Sequence, residues 1–462
     1  MNKRIRNALI VLSLVVAGVV AGAALYYHDQ TKEHTVRGSS SVEFVTTAPP
    51  GEKRRPHRLV VEVPWPMYGY DAARSHVAAD FEHRPPYRRL WGRETGNYIE
   101  FPPAVGDGRV FVANQKGGFL AVRAKDGTVA WEKDFGSCIA SGSAVKGRIV
   151  VQTVMNPRPC ARGDRASQPG FVVAMDAFTG RQLWRFRTGV IESSPLIVGK
   201  RVYVGSWNHK VYALSLKTGR VRWSYDTGEE IDSSAAYDDG LVYIASNEGH
   251  VYALNARTGR LRWRASSFAR FGRREYFYAT PTVAYGRVYI GNTDGTLYAF
   301  GAKTGDLLWA QHAGTYVYSA AAVWRNRVYI GTYDGRFRAF NAATGDPIWS
   351  WNAPAKIHGA PTIMAGLVYF ATASTGPNAH PSRYIERGPR GVYALDARTG
   401  KLIWQHRGIG QYSPIVADED RVYLIGSTRV YAYESRARTT TARQRPSQPK
   451  KRQRHSRRGH AR

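Results

Sequence analysis

Cysteine is scarce in this sequence, and its absence from certain places excludes several classes of protein. Cys138 and Cys160 are the two cysteines among 462 residues. Neither belongs to a Cys-x-x-Cys-His motif, which excludes covalent attachment of c-type haem. No nearby pair of histidines completes a four-ligand set with them, so we expect no zinc site. No cysteine follows the N-terminal apolar run, which excludes a lipoprotein signal.

Acidic residues are also few, and the excess of basic residues is unevenly distributed. The chain has 35 Asp and Glu against 66 Lys and Arg, a net charge of +31. Residues 435–462 contain many Lys and Arg and no acid, and we expect this tail to be disordered. Such a run is typical of nucleic-acid-binding patches. An exported protein meets anionic lipid head groups and wall polymers instead, so we expect no nucleic-acid partner. The alternative is a solvated tail without a partner.

The first 27 residues have the pattern of a membrane anchor. Residues 1–7 carry Lys3, Arg4 and Arg6, whereas residues 8–27 are uncharged. About twenty apolar residues span a bilayer as one helix, and the basic flank favours a cytoplasmic N-terminus. The pattern predicts a single-pass cell-membrane protein with the rest of the chain exported. The alternative is a cleaved signal peptide, because Ala21-Gly22-Ala23 is an acceptable cleavage site.

Two segments follow the anchor. Residues 28–57 are polar and lack periodicity, which predicts a flexible linker. Residues 58–83 include Trp65-Pro-Met-Tyr-Gly-Tyr70, whose aromatic side chains a disordered linker would not need. We therefore expect residues 58–83 to pack on the domain that follows.

A Thr-Gly pair, with Trp four residues after the Gly, recurs through most of the chain. Successive Trp spacings are 40, 53, 39, 40, 46, 40 and 55. A period near 40 with several short alternating strands per unit predicts the four-stranded antiparallel sheets of a β-propeller. The Gly suits a tight turn with positive φ, and the Trp side chains can pack between blades. The Trp residues that follow a Thr-Gly pair are Trp184, Trp223, Trp263, Trp309, Trp349 and Trp404. Asp126-Gly127 is a weaker copy before Trp131, and Trp91 stands without the pair 40 residues earlier.

Counting strands gives eight blades. Eight inner strands are present, but the last unit ends at Glu434 without an outer strand or its Trp. Trp91, which precedes the first unit, supplies the missing strand. The sequence therefore predicts an all-β, eight-bladed propeller over residues 84–434, in which an N-terminal strand completes the last blade and removes two sheet edges.

The two cysteines fall in loops that this fold brings together. Cys138 lies between the outer strand of one blade and the inner strand of the next, and Cys160 lies in that next blade between its second and third strands. Both kinds of loop emerge on one face of a propeller. A disulfide is therefore geometrically reasonable and suits an oxidising compartment. The alternative is two unpaired thiols.

Three insertions lengthen loops on that same face, near residues 155–169, 266–277 and 374–390. Long loops on a rigid scaffold often carry function. The insertions are rich in arginine, notably Arg270, Arg273 and Arg274, which favours an anionic ligand. The alternative is ordinary variation in loop length.

A polar ring is expected at the mouth of the central channel. The position three residues before each inner-strand Pro, or its equivalent, is polar or aromatic in seven of the eight blades and is Ala140 in the remaining one. Carboxylates and a histidine there can bind a cation or polarise a ligand. The alternative is that a wet channel mouth tolerates any polar residue. The seven positions are Glu100, Glu192, Asp232, Tyr278, Tyr318, His358 and Gln411.

The repeat units resemble those of the pyrroloquinoline-quinone (PQQ)-type propeller family. The resemblance is carried by VYALNARTGRLRW at 251–263, by VYALDARTGKLIW at 392–404 and by Trp65-Pro-Met-Tyr-Gly. One branch of this family contains quinoprotein alcohol dehydrogenases, which hold the quinone and a calcium ion in an eight-bladed channel. The other branch is similar to BamB, a non-catalytic scaffold of outer-membrane barrel assembly.

The chain departs from the patterns of both branches. The dehydrogenases pair adjacent cysteines beside the quinone, whereas these two cysteines lie 22 residues apart, and their calcium-ligand set cannot be mapped here beyond Glu192. BamB-like proteins have a lipid-attachment cysteine, which this chain lacks. The resemblance implies a non-catalytic scaffold that binds envelope proteins, anionic wall polymer or lipid head groups, without cofactor, metal or catalytic residues. The alternative is a PQQ- and calcium-dependent oxidoreductase; a third hypothesis is an extracytoplasmic sensor.

Overall fold

The computed structural model describes residues 3–47, 49, 63–158, 160, 168–373, 390–409 and 415–436. One helix, Lys3–Thr31, precedes a ring of eight antiparallel blades of four strands each. This confirms the predicted eight-bladed propeller. A short strand, Val77–Ala78, adds to one blade by pairing parallel with its inner strand, Thr362–Met364. Part of the helix, Leu12–Thr31, is long and apolar enough to cross a membrane, and it is wholly exposed. The helix is longer than the predicted span of residues 8–27.

Blades 1 to 4 are described from the innermost strand outwards. Blade 1 contains Ala104–Gly106, Arg109–Ala113, Gly118–Arg123 and Val129–Asp134. Blade 2 contains Ala144–Lys146, Ile149–Val154, Gly170–Asp176 and Gln182–Thr188. Blade 3 contains Leu196–Val198, Arg201–Gly205, Lys210–Ser215 and Val221–Asp226. Blade 4 contains Ala236–Asp238, Leu241–Ala245, His250–Asn255 and Leu261–Ser266.

The other four blades follow the same order. Blade 5 contains Thr282–Ala284, Arg287–Gly291, Thr296–Gly301 and Leu307–His312. Blade 6 contains Ala322–Trp324, Arg327–Gly331, Arg336–Asn341 and Pro347–Asn352. Blade 7 contains Thr362–Met364, Leu367–Thr372, Gly391–Asp396 and Leu402–Arg407. Blade 8 contains Val416–Ala417, Val422–Ile425, Arg429–Ser435 and, as its outer strand, Tyr87–Glu94.

The ring closes through the N-terminal strand, as predicted. Tyr87–Glu94 pairs antiparallel with Arg429–Ser435, and Trp91 lies opposite Ala432. Arg429 Nε donates a hydrogen bond of 2.6 Å to the Glu94 carboxylate across this pair. Because the first and last strands share one sheet, blade 8 has no unpaired third strand.

The repeated Gly and Trp form the contact between neighbouring blades. In blade 3, Gly219 has φ +69°, and a Cβ at this position would lie 2.5 Å from the Trp184 ring of blade 2. Trp184 Nε1 donates a hydrogen bond of 2.8 Å to the Leu216 carbonyl. Both the turn and the ring against it therefore require glycine. The same contact joins Trp91 to Gly127, Trp131 to Gly180, Trp223 to Gly259, Trp263 to Gly305, Trp309 to Gly345 and Trp349 to Gly400.

The contact between blades 7 and 8 differs, because blade 8 joins the two ends of the propeller and has no Thr-Gly turn. Trp404 of blade 7 meets the Tyr87 ring edge-on at 5.2 Å. The Tyr87 hydroxyl shares a hydrogen bond of 2.8 Å with the Tyr369 hydroxyl of blade 7. A tyrosine of the closing strand thus takes the place of the missing turn.

Residues 36–45, which follow the helix, lie along blade 5. Val36 and Ala310, on the outer strand of blade 5, exchange main-chain hydrogen bonds of 2.8 and 2.9 Å. Gly38 lies against Trp309, which is fully buried. The outer strand of a blade has an open edge, and this segment satisfies part of it.

Candidate functional site

One end of the central channel is closed by residues 65–83, here called the plug. Trp65 and Val105 of the blade 1 inner strand exchange main-chain hydrogen bonds of 3.0 and 2.8 Å. Further main-chain bonds attach the plug to the inner strands of five more blades. These are Val145 N to Pro66 O, Tyr237 N to Ala72 O, Val283 N to Ala73 O, Val323 N to Ser75 O and Ile363 N to His76 O, at 2.7–3.1 Å. The channel is therefore a blind pocket with one mouth.

Charged and polar side chains fix the plug from within. Arg74 is fully buried and donates hydrogen bonds to the carbonyls of Ala235 at 2.9 Å and Pro195 at 3.2 Å. Burial lowers the pKa of Arg74 to about 10, against the opposing influence of Tyr68 and Asp71, so the guanidinium stays charged at neutral pH. The plug is thus held by main-chain pairing and by one buried cation that binds blades 3 and 4.

The predicted ring residues lie together around the open mouth. Glu100, Ala140, Glu192, Asp232, Tyr278, Tyr318 and His358 all line one pocket, whose floor includes Tyr68 of the plug. Water molecules can place their centres within about 40 Å³ of this pocket. This is room for about three waters. The eighth predicted position, Gln411, lies outside the described residues.

One side of the mouth is acidic. Glu100, Glu192 and Asp232 come from blades 1, 3 and 4, and all three are partly buried. The Tyr278 hydroxyl donates a hydrogen bond of 3.0 Å to Glu192. Asp232 accepts hydrogen bonds from Trp207 Nε1 and, at 2.8 Å, from the Asn247 amide. These neighbours fix the carboxylates in place.

The electrostatics of this side keep Tyr278 protonated. Burial, together with the charges of Glu192, Asp232 and Glu100, raises the pKa of Tyr278 well above its usual value. The phenol therefore remains a hydrogen-bond donor to Glu192, and the negative charge of the mouth stays on the carboxylates.

The other side of the mouth is aromatic. Tyr318 stacks on Tyr333 with ring centroids 4.7 Å apart and on His358 at 5.3 Å, and it meets Tyr278 edge-on at 5.1 Å. Tyr333 and His358 share a hydrogen bond between the hydroxyl and Nδ1. Burial, with Lys356 nearby, lowers the pKa of His358 to about 3, so its ring is neutral at physiological pH. Carboxylates facing π-systems form a site suited to cationic groups.

The same face carries the disulfide and the loops between blades. We call this the mouth face; the Thr-Gly turns lie on the opposite face, here called the turn face. The predicted disulfide is confirmed: Cys138 and Cys160 are bonded, with Cα atoms 5.5 Å apart. The bridge packs in an apolar cluster with Trp207 and with Ala140, which lines the pocket. It therefore ties a long loop of blade 2 to the rim of the mouth.

The predicted arginines are separate from the ring. Arg270, Arg273 and Arg274 belong to a small hairpin, Ala269–Arg270 paired with Arg273–Arg274, in the connection from blade 4 to blade 5. None of the three forms an ion pair within the described part of the chain. Most of the insertion near 155–169 and almost all of that near 374–390 lie outside the described residues, as does the tail from residue 437.

Sequence reasoning missed part of the mouth. Tyr333 and Trp207 occupy equivalent positions in the loops between the second and third strands of blades 6 and 3. Aligning that loop across the blades, in the same way as the inner strands, identifies both. Tyr68 was missed because nothing in the sequence indicates that the plug enters the channel.

The residues present do not fit a quinone and calcium centre. A planar tricyclic quinone needs far more space than the three waters of this pocket, and the disulfide joins residues 22 apart in sequence. Within the described residues, no three His, Cys, Asp or Glu side chains form a group that could hold a metal ion. Separate tyrosine, tryptophan and asparagine donors bind two of the three carboxylates of the mouth.

One family model shows the family of the chain. A family model described as outer membrane protein assembly factor BamB matches residues 85–230, 226–323 and 313–457. Outer membrane protein assembly factor BamB of Burkholderia pseudomallei (strain K96243) is 30% identical over 131 residues, which cover 28% of this chain and 30% of that protein. The chain thus matches less than a third of that relative's length.

Two solved structures illustrate the range of the fold. BamB from Moraxella catarrhalis superposes with a TM-score of 0.59 at 19% identity, covering 76% of this chain and 100% of that chain. A europium-containing methanol dehydrogenase superposes with a TM-score of 0.66 at 14% identity, covering 81% of this chain and 98% of that chain. At such identities these likenesses concern the fold alone.

Proposed function

The chain belongs to the BamB-type family of PQQ-repeat propellers, and from this membership we propose that it is a non-catalytic binding scaffold of the cell envelope. The plugged channel carries the proposal. The plug and the aromatic floor leave a small pocket, whereas a redox enzyme of this fold needs room for its quinone. A small polar pocket on a rigid ring suits recognition of a partner's side chains.

The mouth indicates what kind of partner it binds. Glu192 and Asp232 provide negative charge on one side, and Tyr318 and Tyr333 provide stacked rings on the other. Lysine and arginine side chains are attracted by the carboxylates, and Lys356, whose ammonium lies 5.0 Å from the centroid of the Tyr333 ring, is an example of a cation held by these rings. The proposed partner is therefore an envelope protein that presents a basic side chain to the mouth.

The helix and the disulfide support the proposed location. The part of the helix from Leu12 to Thr31 can cross a membrane by length and composition, and the basic residues in the first turns of the helix favour an N-terminus on the cytoplasmic side. The Cys138–Cys160 bond suits an oxidising compartment. In this proposal, the propeller lies outside the cell membrane and is attached to it by a single-pass helix. The tail of residues 435–462 remains a candidate for binding anionic lipid head groups or wall polymer.

A titration with N-acetyl-arginine amide tests the charge preference of the mouth. The full-length chain in detergent is titrated by NMR, with N-acetyl-glutamine amide as the neutral comparison. We expect saturable binding of the arginine probe, and a loss of at least about tenfold on Glu192→Gln with Asp232→Asn, since charge-assisted bonds are worth about 1.5–3 kcal/mol each.

The control for this titration neutralises two acids on the turn face. Asp239 and Asp420 are exposed residues in turns between first and second strands. Asp239→Asn with Asp420→Asn removes the same charge far from the mouth. If both double variants weaken arginine binding equally, the general charge of the protein is responsible and the proposed site is wrong.

A further inference from the structure

The basic hairpin of residues 269–274 projects from the mouth face with an aromatic side chain at its tip. Phe271 is 47% exposed, and the neighbouring Tyr276 is 54% exposed. Arg273 and Arg274 are exposed on the second strand of the hairpin. The hairpin therefore combines apolar rings with cations, the composition of segments that lie at a membrane surface.

The hairpin also touches the end of the N-terminal helix. Tyr26 and Tyr27 lie with their ring centroids 6.0 and 5.8 Å from that of Phe271. The Phe271 main-chain N–H donates a hydrogen bond of 2.7 Å to the Gln30 side chain. Three contacts thus join the tip of the hairpin to the last two turns of the helix.

These contacts fix the depth of the hairpin once the helix spans a bilayer. Tyrosines at the end of a membrane helix lie at the level of the lipid head groups. Phe271 packs on both tyrosines and so lies at the same level. The arginines beside it are then within reach of lipid phosphates, which arginine binds in bidentate fashion.

We propose that this hairpin is a membrane-binding element, in which Phe271 enters the outer interface and Arg270, Arg273 and Arg274 bind the phosphates of anionic phospholipids. The proposal rests on the proposed function, because it takes the helix as the membrane anchor. It has a consequence for the propeller: since the hairpin belongs to the mouth face, that face is turned towards the bilayer. The partner of the mouth is then reached close to the membrane surface.

The local charges support a lipid ligand. Arg270 Nε is buried without a hydrogen-bond partner in the described residues, and Arg274 Nε donates at 3.2 Å to the Ser267 carbonyl. Glu275 is the one acid within residues 266–277. Near the end of the N-terminal helix, Asp29 and Lys32 offset each other, and Glu33 lies 3.3 Å from the ring of His312. The hairpin therefore retains a net positive charge beside the exposed phenylalanine.

The depth of the hairpin can be measured on the full chain in lipid nanodiscs. Both native cysteines are in the disulfide, so Phe271→Cys introduces one thiol for a nitroxide label. Phe178→Cys is the matched control, because Phe178 is 41% exposed on the turn face. In phosphatidylglycerol nanodiscs we expect the label at 271 to collide with oxygen and to be protected from a water-soluble nickel chelate, and the label at 178 to show the opposite.

The arginines are tested by two triple variants that carry the 271 label. Arg270, Arg273 and Arg274 are changed to Gln in one, and Arg181, Arg220 and Arg260 in the other. The second set is exposed beside the Thr-Gly turns of the turn face and removes the same charge. We expect the first variant to move the label towards water in phosphatidylglycerol and the second to leave it in place.

Three results would overturn the proposal. If the chain floats with lipid vesicles but the label at 271 is as accessible to nickel as that at 178, the hairpin does not reach the membrane, and the proposed function is unaffected. If the hairpin variant loses binding to cell-wall fragments while its label keeps its depth, the arginines bind wall polymer instead. A chain that does not float with vesicles has no anchor, which contradicts the proposed membrane location as well.

Discussion

The two ends of the channel are built from different kinds of contact. The plugged end is held by main-chain hydrogen bonds to six blades and by the side chain of Arg74, which is 0% exposed. The open end is lined by partly buried carboxylates and stacked rings. Buried, satisfied groups stabilise a fold, whereas accessible polar groups are available to a ligand. The difference supports the proposal that one end stabilises the ring and the other end binds.

The largest effect on stability is expected at the plugged end. Arg74→Leu leaves the carbonyls of Ala235 and Pro195 without that donor and should lower the free energy of unfolding by about 3–5 kcal/mol. Arg260→Leu, at an exposed turn, is the control and should change it by less than about 0.5 kcal/mol. Denaturant unfolding measures both. Equal stability of the two variants would show that the plug does not stabilise the ring.

The disulfide is expected to stabilise the open end covalently, as the plug stabilises the other end by hydrogen bonds. Its two cysteines are 22 residues apart, and the chain-entropy model assigns a loop of this length about 3 kcal/mol. Cys138→Ser with Cys160→Ser should destabilise the protein by about that amount. Adding reductant to the wild type should give the same midpoint as the variant. If the wild type does not respond to reductant, and both thiols can be alkylated without prior reduction, the disulfide is not formed and the prediction is wrong.

The buried histidine of the plug predicts a dependence of stability on pH. Burial, with Arg74 nearby, lowers the pKa of His76 to about 3. Between this value and the unfolded value near 6.5, the unfolded chain binds the extra proton, so stability falls as pH falls, by up to about 1.4 kcal/mol per pH unit. His76 has φ +57°, which asparagine tolerates. His76→Asn should therefore reduce this slope between about pH 6 and pH 4.

The smallest effect on stability is expected at the mouth. Glu192→Gln and Asp232→Asn keep the size of each side chain, and the amide oxygen introduced at position 192 can still accept the hydrogen bond from Tyr278. Unfolding should shift by less than about 1 kcal/mol, even though binding of the arginine probe is lost. A destabilisation as large as that of Arg74→Leu would mean that the mouth, too, is a structural element.

Periodicity was enough to predict the ring, because the same inter-blade contact recurs. Each Trp needs a glycine in the next blade, so the pair marks every joint where a Thr-Gly turn exists. The closing strand was predictable for the same reason, because Trp91 lies before the first complete repeat unit while the last unit has no Trp. The disulfide followed from the loop order that the ring imposes.

Features that occur once could not be predicted in this way. The plug has no repeat, and its path through the channel depends on pairing with inner strands far away in sequence, such as Val283 with Ala73. The contact of Val36 with Ala310 is likewise long-range. Polar residues of the mouth were identified by position, but their division into an acidic and an aromatic side depends on which blade each residue belongs to.

The central claim is that the open end of the channel is a small recognition site and that the plugged channel holds no quinone. Calorimetric titration of the full-length chain with pyrroloquinoline quinone and Ca²⁺ tests it most directly, followed by a dye-reduction assay with alcohols and sugars. The account predicts no saturable heat and no dye reduction, with the arginine probe still binding afterwards. Stoichiometric quinone binding that blocks the arginine probe and supports dye reduction would contradict it.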